Sequence, residues 1–167
     1  HMILAIDVAY HGDLARVAGL LFPTWDSEQA AHQIALDNIP AAEYMPGQFY
    51  LRELPCIAAL LEQIEQTIDC IVIDGYVSLG ANATPGLGMK LWEFMQGSTP
   101  IIGVAKTEFM GTPENAKIFR GGSARPLFIS AVGMELEVAK AAVLSMKGKY
   151  RMPHLLKQVD SLARRHL

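Results

Sequence analysis

The sequence predicts an α/β domain in which a mixed β-sheet is flanked by helices, and three observations lead there. Three strand-like segments open the chain with no helical period between them. Two later runs, "DCIVIDG" and "TPIIGVAKTEF", are apolar without alternation, as central strands buried on both faces are. Segments of helical period separate and follow those runs, and this order marks a layered α/β arrangement.

Taken in order, "ILAIDVAY" (3–10) is a buried strand carrying one polar residue, Asp7. "HGDL" turns the chain into "LARVAGLLF" (14–22), its hairpin partner, and after the loop "PTWDSEQ" a more exposed strand covers 30–39. From Tyr50 to Gln66, Leu54, Ile57, Ala58, Leu61 and Ile64 recur at helical spacing and predict an amphipathic helix. A strand over 69–75 ends in Asp-Gly, and a glycine-rich loop leads to a helix near 86–96. Strands follow at 99–109 and 125–133, and helices near 134–146 and 153–166 complete the pattern. No repeat, low-complexity segment or linker divides the chain, so residues 1–167 are expected to form one domain. His1 ahead of Met2 has the look of a tag remnant and is left out of the reasoning.

The composition is 51% hydrophobic and 19% charged, which excludes a disordered chain and a coiled coil. No apolar run approaches the roughly 18 residues needed to span a bilayer. The apolar start has no basic leader, so a cytoplasmic protein without membrane attachment is expected. Cys56 and Cys70 lie in apolar segments without metal-ligand spacing and read as buried reduced thiols. The net charge of −3 argues weakly against a polyanionic partner. A local basic patch is what such a partner needs, and Lys147, Lys149, Arg151, Lys157, Arg164 and Arg165 supply one.

Asp7 inside one strand and Asp74 at the end of another are the first candidates for chemistry. A buried carboxylate is costly unless paired, hydrogen-bonded or metal-bound. Each aspartate alone could cap a helix or accept backbone amides; two at strand ends of one small sheet point to a shared hard cation such as Mg²⁺. Glu53, in "GQFYLRELP", would complete the set from a helix start, or else answer the helix dipole. Asp160 falls near the apolar face of the last helix, as a hydrogen-bonded boundary residue or a fourth carboxylate of the site. Lys106 ends its strand as Asp74 ends its own. It could neutralise a phosphate or position a water in metal-assisted cleavage, or could simply leave the sheet for solvent.

With those residues in view, the chain resembles the endonuclease V family over nearly its whole length. The resemblance is carried by "DVAY", "YMPGQFYLRELP", "VIDG", "IGVAK" and "GKYRMPHLLKQVD" in that order. It implies an RNase H-like fold and a metal-dependent endonuclease, using Mg²⁺ or Mn²⁺, that cuts DNA or RNA near a deaminated base, inosine, in DNA repair. Asp7, Glu53 and Asp74 match the family's metal-binding carboxylates and Lys106 its active-site lysine. Asp160 takes the place of a further acidic or histidine residue. "EYMPG" matches the wedge motif, with Tyr44 separating the strands and Pro46 and Gly47 beside it. A monomer is expected.

Glycines of the 75–88 loop, Gly75 first, would let the backbone approach an extruded base; Gly86 and Gly88 could equally serve helix packing. Arg120 and Arg125 in "RGGSARP" suit a phosphate contact or a plain hairpin turn. The resemblance departs at "DGYVSLGANATPG" and "FISAVG", where the family carries histidine, and this chain has none between His32 and His154. A nucleic-acid binder with impaired catalysis, or a nuclease of the same mechanism with another substrate, are the alternatives.

Overall fold

A computed structural model of the chain describes residues 1–41, 45 and 50–165. One seven-stranded sheet runs in the order β3-β2-β1-β4-β7-β9-β8. β1 (Met2–His11), β2 (Leu14–Phe22) and β3 (His32–Pro40) form an antiparallel meander. β4 (Ile68–Asp74) lies parallel to β1, and β7 (Ile101–Ala105) parallel to β4. β9 (Leu127–Val132) runs antiparallel to β7 and carries the short β8 (Lys117–Ile118) at the edge. Within the glycine-rich loop, β5 (Ser78–Leu79) and β6 (Thr84–Pro85) make a small hairpin that the sequence pattern did not announce.

Among the described residues, four α-helices cover the sheet: α1 (Tyr50–Glu62), α2 (Leu87–Phe94), α3 (Leu136–Ser145) and α4 (His154–Arg164). Side chains alternate across each strand, so every strand feeds two cores. Ile3, Ala5, Val72, Ile102 and Val104 face one side, packed with Ala139, Val143, Leu155, Leu156 and Val159 of α3 and α4. Leu4, Ile6, Ile71, Ile73 and Ile101 face the other, against Cys56, Ile57 and Leu60 of α1 and Leu91 of α2. Leu4, Leu20, Phe22 and Ile71 are fully buried, each contributing about 1.5–3 kcal/mol by leaving water. No described helix is long and apolar enough to cross a membrane.

The parallel pairings of β1 with β4 and of β4 with β7 stop at one level of the sheet, although β1 runs on to His11. Ala5 pairs with Val72 and Ile6 with Ile73, so Asp7 and Asp74 are the next residues on neighbouring strands, about 4.8 Å apart in the sheet. Loops leaving the C-terminal ends of parallel strands form the crevice that open α/β sheets offer to ligands.

Candidate active site

Strand parity decides which side chains share that crevice. Asp7 continues Ile3 and Ala5, Asp74 continues Cys70 and Val72, and Lys106 continues Ile102 and Val104 beyond the end of β7. All three therefore emerge on the α4 side, where Asp160 faces them. Together with Met152, Leu156 and Lys157 they line a cleft of about 200 Å³.

The electrostatics show how closely these groups sit. The half-buried Asp7 carboxyl is pushed up to about 8, first by burial and then by its hydrogen bond with Asp160, with Asp74 adding repulsion. One counterweight is the backbone N–H of Val8, which donates to Asp7 Oδ1 at 2.9 Å. Asp74 stands at the mouth of the cleft, surrounded by protein atoms yet reached by solvent. Its carboxyl is raised in direction by desolvation and by Asp160, against the pull of the Lys106 and Arg164 cations. Asp160 Oδ1 accepts from Arg164 Nε at 3.0 Å, one helical turn on.

Glu53 arrives from the opposite face of the sheet, on the first turn of α1. Burial, and next the Asp74 charge, push it up to about 7, while Arg52 pulls it down. Adjacent residues of the helix start thus divide: Glu53 turns toward Asp74, and the Arg52 guanidinium lies 4.0 Å over the Tyr10 ring at the end of β1. Pro55, the sixth residue of α1, has no N–H to give to the Leu51 carbonyl, so the helix lacks one hydrogen bond just after Glu53.

Asp74 belongs to two clefts at once. The second, of about 290 Å³, lies on the α1 side between Glu53, Gly75, Tyr76, Leu79, Gly86 and Phe109. Its wall is cross-tied: the Tyr76 hydroxyl donates to Thr107 O at 2.7 Å and accepts from Phe109 N–H at 3.1 Å, and the two rings meet edge to face. Ser130 Oγ accepts from Val77 N–H at 2.9 Å and holds the loop onto β9. Gly75 has φ +118° and nothing near where a Cβ would stand, so its backbone is open to the cleft. Gly86 and Gly88 serve packing: a Cβ on Gly86 would lie 2.7 Å from Tyr76 O, and one on Gly88 would lie 2.7 Å from Val77 Cα.

The carboxylates are gathered in two groups rather than one cage. Asp7, Asp74 and Asp160 line the α4 cleft, and Glu53 meets only Asp74, across the sheet end. Among the described residues no three His, Cys, Asp or Glu stand in the geometry of a closed metal cage. The donor set nonetheless suits a hard cation: oxygen ligands only, mutual repulsion, and Lys106 and Arg164 as the cations that reach Asp74.

Arg120 is corrected. It is 8% exposed, and its guanidinium donates to the carbonyl oxygens of Met146, Gly148, Tyr150 and Arg151, so no phosphate is offered to it. Arg125 is exposed, in a turn closed by Ser123 Oγ, which donates to Arg125 O and accepts from Arg125 N–H. Tyr44, Pro46 and Gly47 lie outside the described residues. Sequence reasoning missed the tie of Arg164 to Asp160, although an Asp-x-x-x-Arg spacing on a helix signals it. It also missed Tyr76, Phe109 and Ser130, for which no spacing rule exists.

The sheet order and the helices on both faces make this an RNase H-like fold, the architecture of enzymes that hydrolyse phosphodiester bonds. The chain belongs to the endonuclease V family, whose model matches residues 1–125. It is 28% identical to endonuclease V of Streptomyces avermitilis over 188 aligned residues, covering 99% of this chain and 80% of that one. Endonuclease V of Nocardia farcinica is 30% identical over 142 residues, with 72% and 61% covered. The crystal structure of the Streptomyces avermitilis enzyme superposes with a TM-score of 0.77 at 26% identity, covering 98% of this chain and 80% of the other. A Ciona intestinalis endonuclease V, crystallised with DNA containing an inosine followed by a ribo-adenosine, shares the fold at TM-score 0.80 and 16% identity, with 98% and 83% covered.

Proposed function

We propose that this chain is a metal-dependent endonuclease that cuts DNA or RNA beside a deaminated base, inosine, and acts in DNA repair. The observation that carries the reading is Asp74, shared by an acidic cleft on one side and a mostly apolar pocket on the other. On this reading chemistry and base recognition would meet at that shared residue. The inosine-containing DNA of the Ciona intestinalis structure supports the choice of lesion.

Asp7 and Asp74 would hold one Mg²⁺ or Mn²⁺, with Glu53 and Asp160 completing its shell directly or through water. When bound, such an ion polarises the scissile phosphate and lowers the pKa of an attacking water. The remaining work falls to the chain's own groups. Lys106 stands beside Asp74 and answers negative charge on the phosphate. Arg164 keeps Asp160 turned into the cleft. The Tyr76–Phe109 wall gives an extruded base an apolar seat, and the open backbone of Gly75 lets its edge approach. Tyr44 would wedge the strands apart, as the motif that includes Pro46 and Gly47 implies, and Arg125 is an exposed arginine left to meet a phosphate.

The test is cleavage of end-labelled inosine-containing and plain strands with Mn²⁺ or Mg²⁺. Asp74→Asn is expected to slow cleavage more than about a hundredfold, since metal-assisted charge stabilisation is worth several kcal/mol. Undiminished cutting by that variant removes the metal reading. Tight inosine binding by the parent without cleavage under either ion makes it a binder instead.

A further inference from the structure

The loop joining α3 to α4 is built around a buried cation. Arg120 Nη2 donates to Met146 O at 2.6 Å and Gly148 O at 3.3 Å, and Nη1 to Tyr150 O at 2.8 Å and Arg151 O at 3.0 Å. Carbonyls turned inward leave the side chains of Lys147, Lys149 and Tyr150 turned out, and all three are exposed. The turn after Phe119 locks onto this loop, because a Cβ on Gly121 would lie 2.5 Å from the Tyr150 carbonyl carbon. Phe119 itself is 57% exposed and Tyr150 63%. Two aromatic rings thus stand in solvent on segments held rigid by four hydrogen bonds.

The segments that carry them are poor in acidic residues. Between Glu114 and Glu135, and again between Glu137 and Asp160, the chain has no acidic residue, although its net charge is −3. Lys117 and Lys140 are engaged by Glu114 and Glu137, and Lys149 Nζ lies 5.4 Å from the centroid of the Tyr150 ring, a contact an incoming base would share or displace; among the described residues Arg125, Lys147 and Lys149 have no ion-pair partner. The surface is continuous with the acidic cleft. Arg151 Nη1 donates to Lys106 O at 3.2 Å and to Pro126 O at 3.1 Å, and Met152 and Lys157 line the cleft wall.

We propose that this face is a stacking platform for unpaired nucleotides of the substrate strand outside the cleft. Phe119 and Tyr150 stack on bases while Lys147, Lys149 and Arg125 meet the phosphates. Exposed rings interleaved with cations are how single strands are held without sequence preference, whereas duplex bases are already stacked on one another. Only the path of the strand rests on the nuclease reading; the platform itself does not.

Binding is measured by fluorescence anisotropy in the Asp74→Asn protein with chelator, using an inosine-free oligothymidylate and a blunt duplex of equal length. Phe119→Ala with Tyr150→Ala is expected to weaken oligothymidylate binding about tenfold or more, and duplex binding less than about twofold. Tyr150→Trp is expected to keep the affinity, and the added indole fluorescence to be quenched on binding. Lys147→Ala with Lys149→Ala weakens both ligands and reduces the salt slope by about 1–2. Circular dichroism confirms that the variants fold, which surface substitutions permit. Unchanged oligothymidylate binding in the aromatic double variant overturns the proposal, as does an equal loss for both ligands. So does a parent dimer that the double variant dissociates, which would make this face an interface between copies. If the parent fails to cut inosine strands yet binds oligothymidylate through these rings, the function above falls and the platform stands.

Discussion

Asp7 concentrates the electrostatic problem of the site in one side chain. Its carboxyl keeps a proton up to about pH 8 in the folded protein but only to about 3.8 when unfolded. Folding therefore takes up a proton within that window, and the stability of the ion-free protein falls as pH rises through it. Glu53, raised to about 7, adds the same sign over a narrower range. Each group contributes a slope of at most about 1.4 kcal/mol per pH unit. Thermal melts in chelator are expected to show a more stable protein at pH 5 than at pH 8, and Asp7→Asn should flatten that dependence. A melt that rises steadily from pH 5 to pH 8 would mean the carboxylates are not crowded. For turnover, Lys106→Met is expected to cost about a hundredfold in kcat while inosine-strand affinity changes little, the signature of charge stabilised late in the reaction.

At the scale of elements, the geometry of the site depends on how the loop after β4 is pinned. Gly103 lies in the middle of β7 because the loop passes directly over it. A Cβ there would stand 2.6 Å from Gly75 O and 2.6 Å from Ser130 Oγ. Gly103→Ala is expected to destabilise the fold by about 1–3 kcal/mol through overpacking, and to raise KM for inosine strands by displacing Gly75. Urea denaturation measures the first effect and steady-state cleavage the second. The helix starts were legible in outline, since the amphipathic period found α1 and α4, while the β5–β6 hairpin carries no period long enough to be read. The strand read within 99–109 and expected to end at Lys106 runs to Ala105, and past Lys106 the chain turns so that Thr107 and Phe109 build the pocket wall with Tyr76.

For the molecule as a whole, acidic groups gathered at one end of the sheet would link folding to cation binding on the proposed reading. An ion that binds only the folded state stabilises it by mass action. An ion held by Asp7 would expel that carboxyl's proton, and its affinity would then rise toward pH 8. Titration calorimetry with Mn²⁺ is expected to show proton release at pH 6.5 and tighter binding at pH 8, together with a higher melting temperature. Asp74→Asn should abolish all three responses. Identical Mn²⁺ affinity at pH 6 and pH 8 would break the link between ion and carboxylates.

What the sequence determined by itself was the strand period. Within each strand, period two decides which residues share a face with Asp7, Asp74 or Lys106, while the strand pairing of the folded sheet sets those faces side by side. The tertiary structure decided the rest. Nothing local says that α1 brings Glu53 from the opposite face, or that Arg120 is buried under carbonyls about 30 residues away. Those outcomes depend on chain packing over long separations, where a side chain's role follows from which neighbours remove it from water.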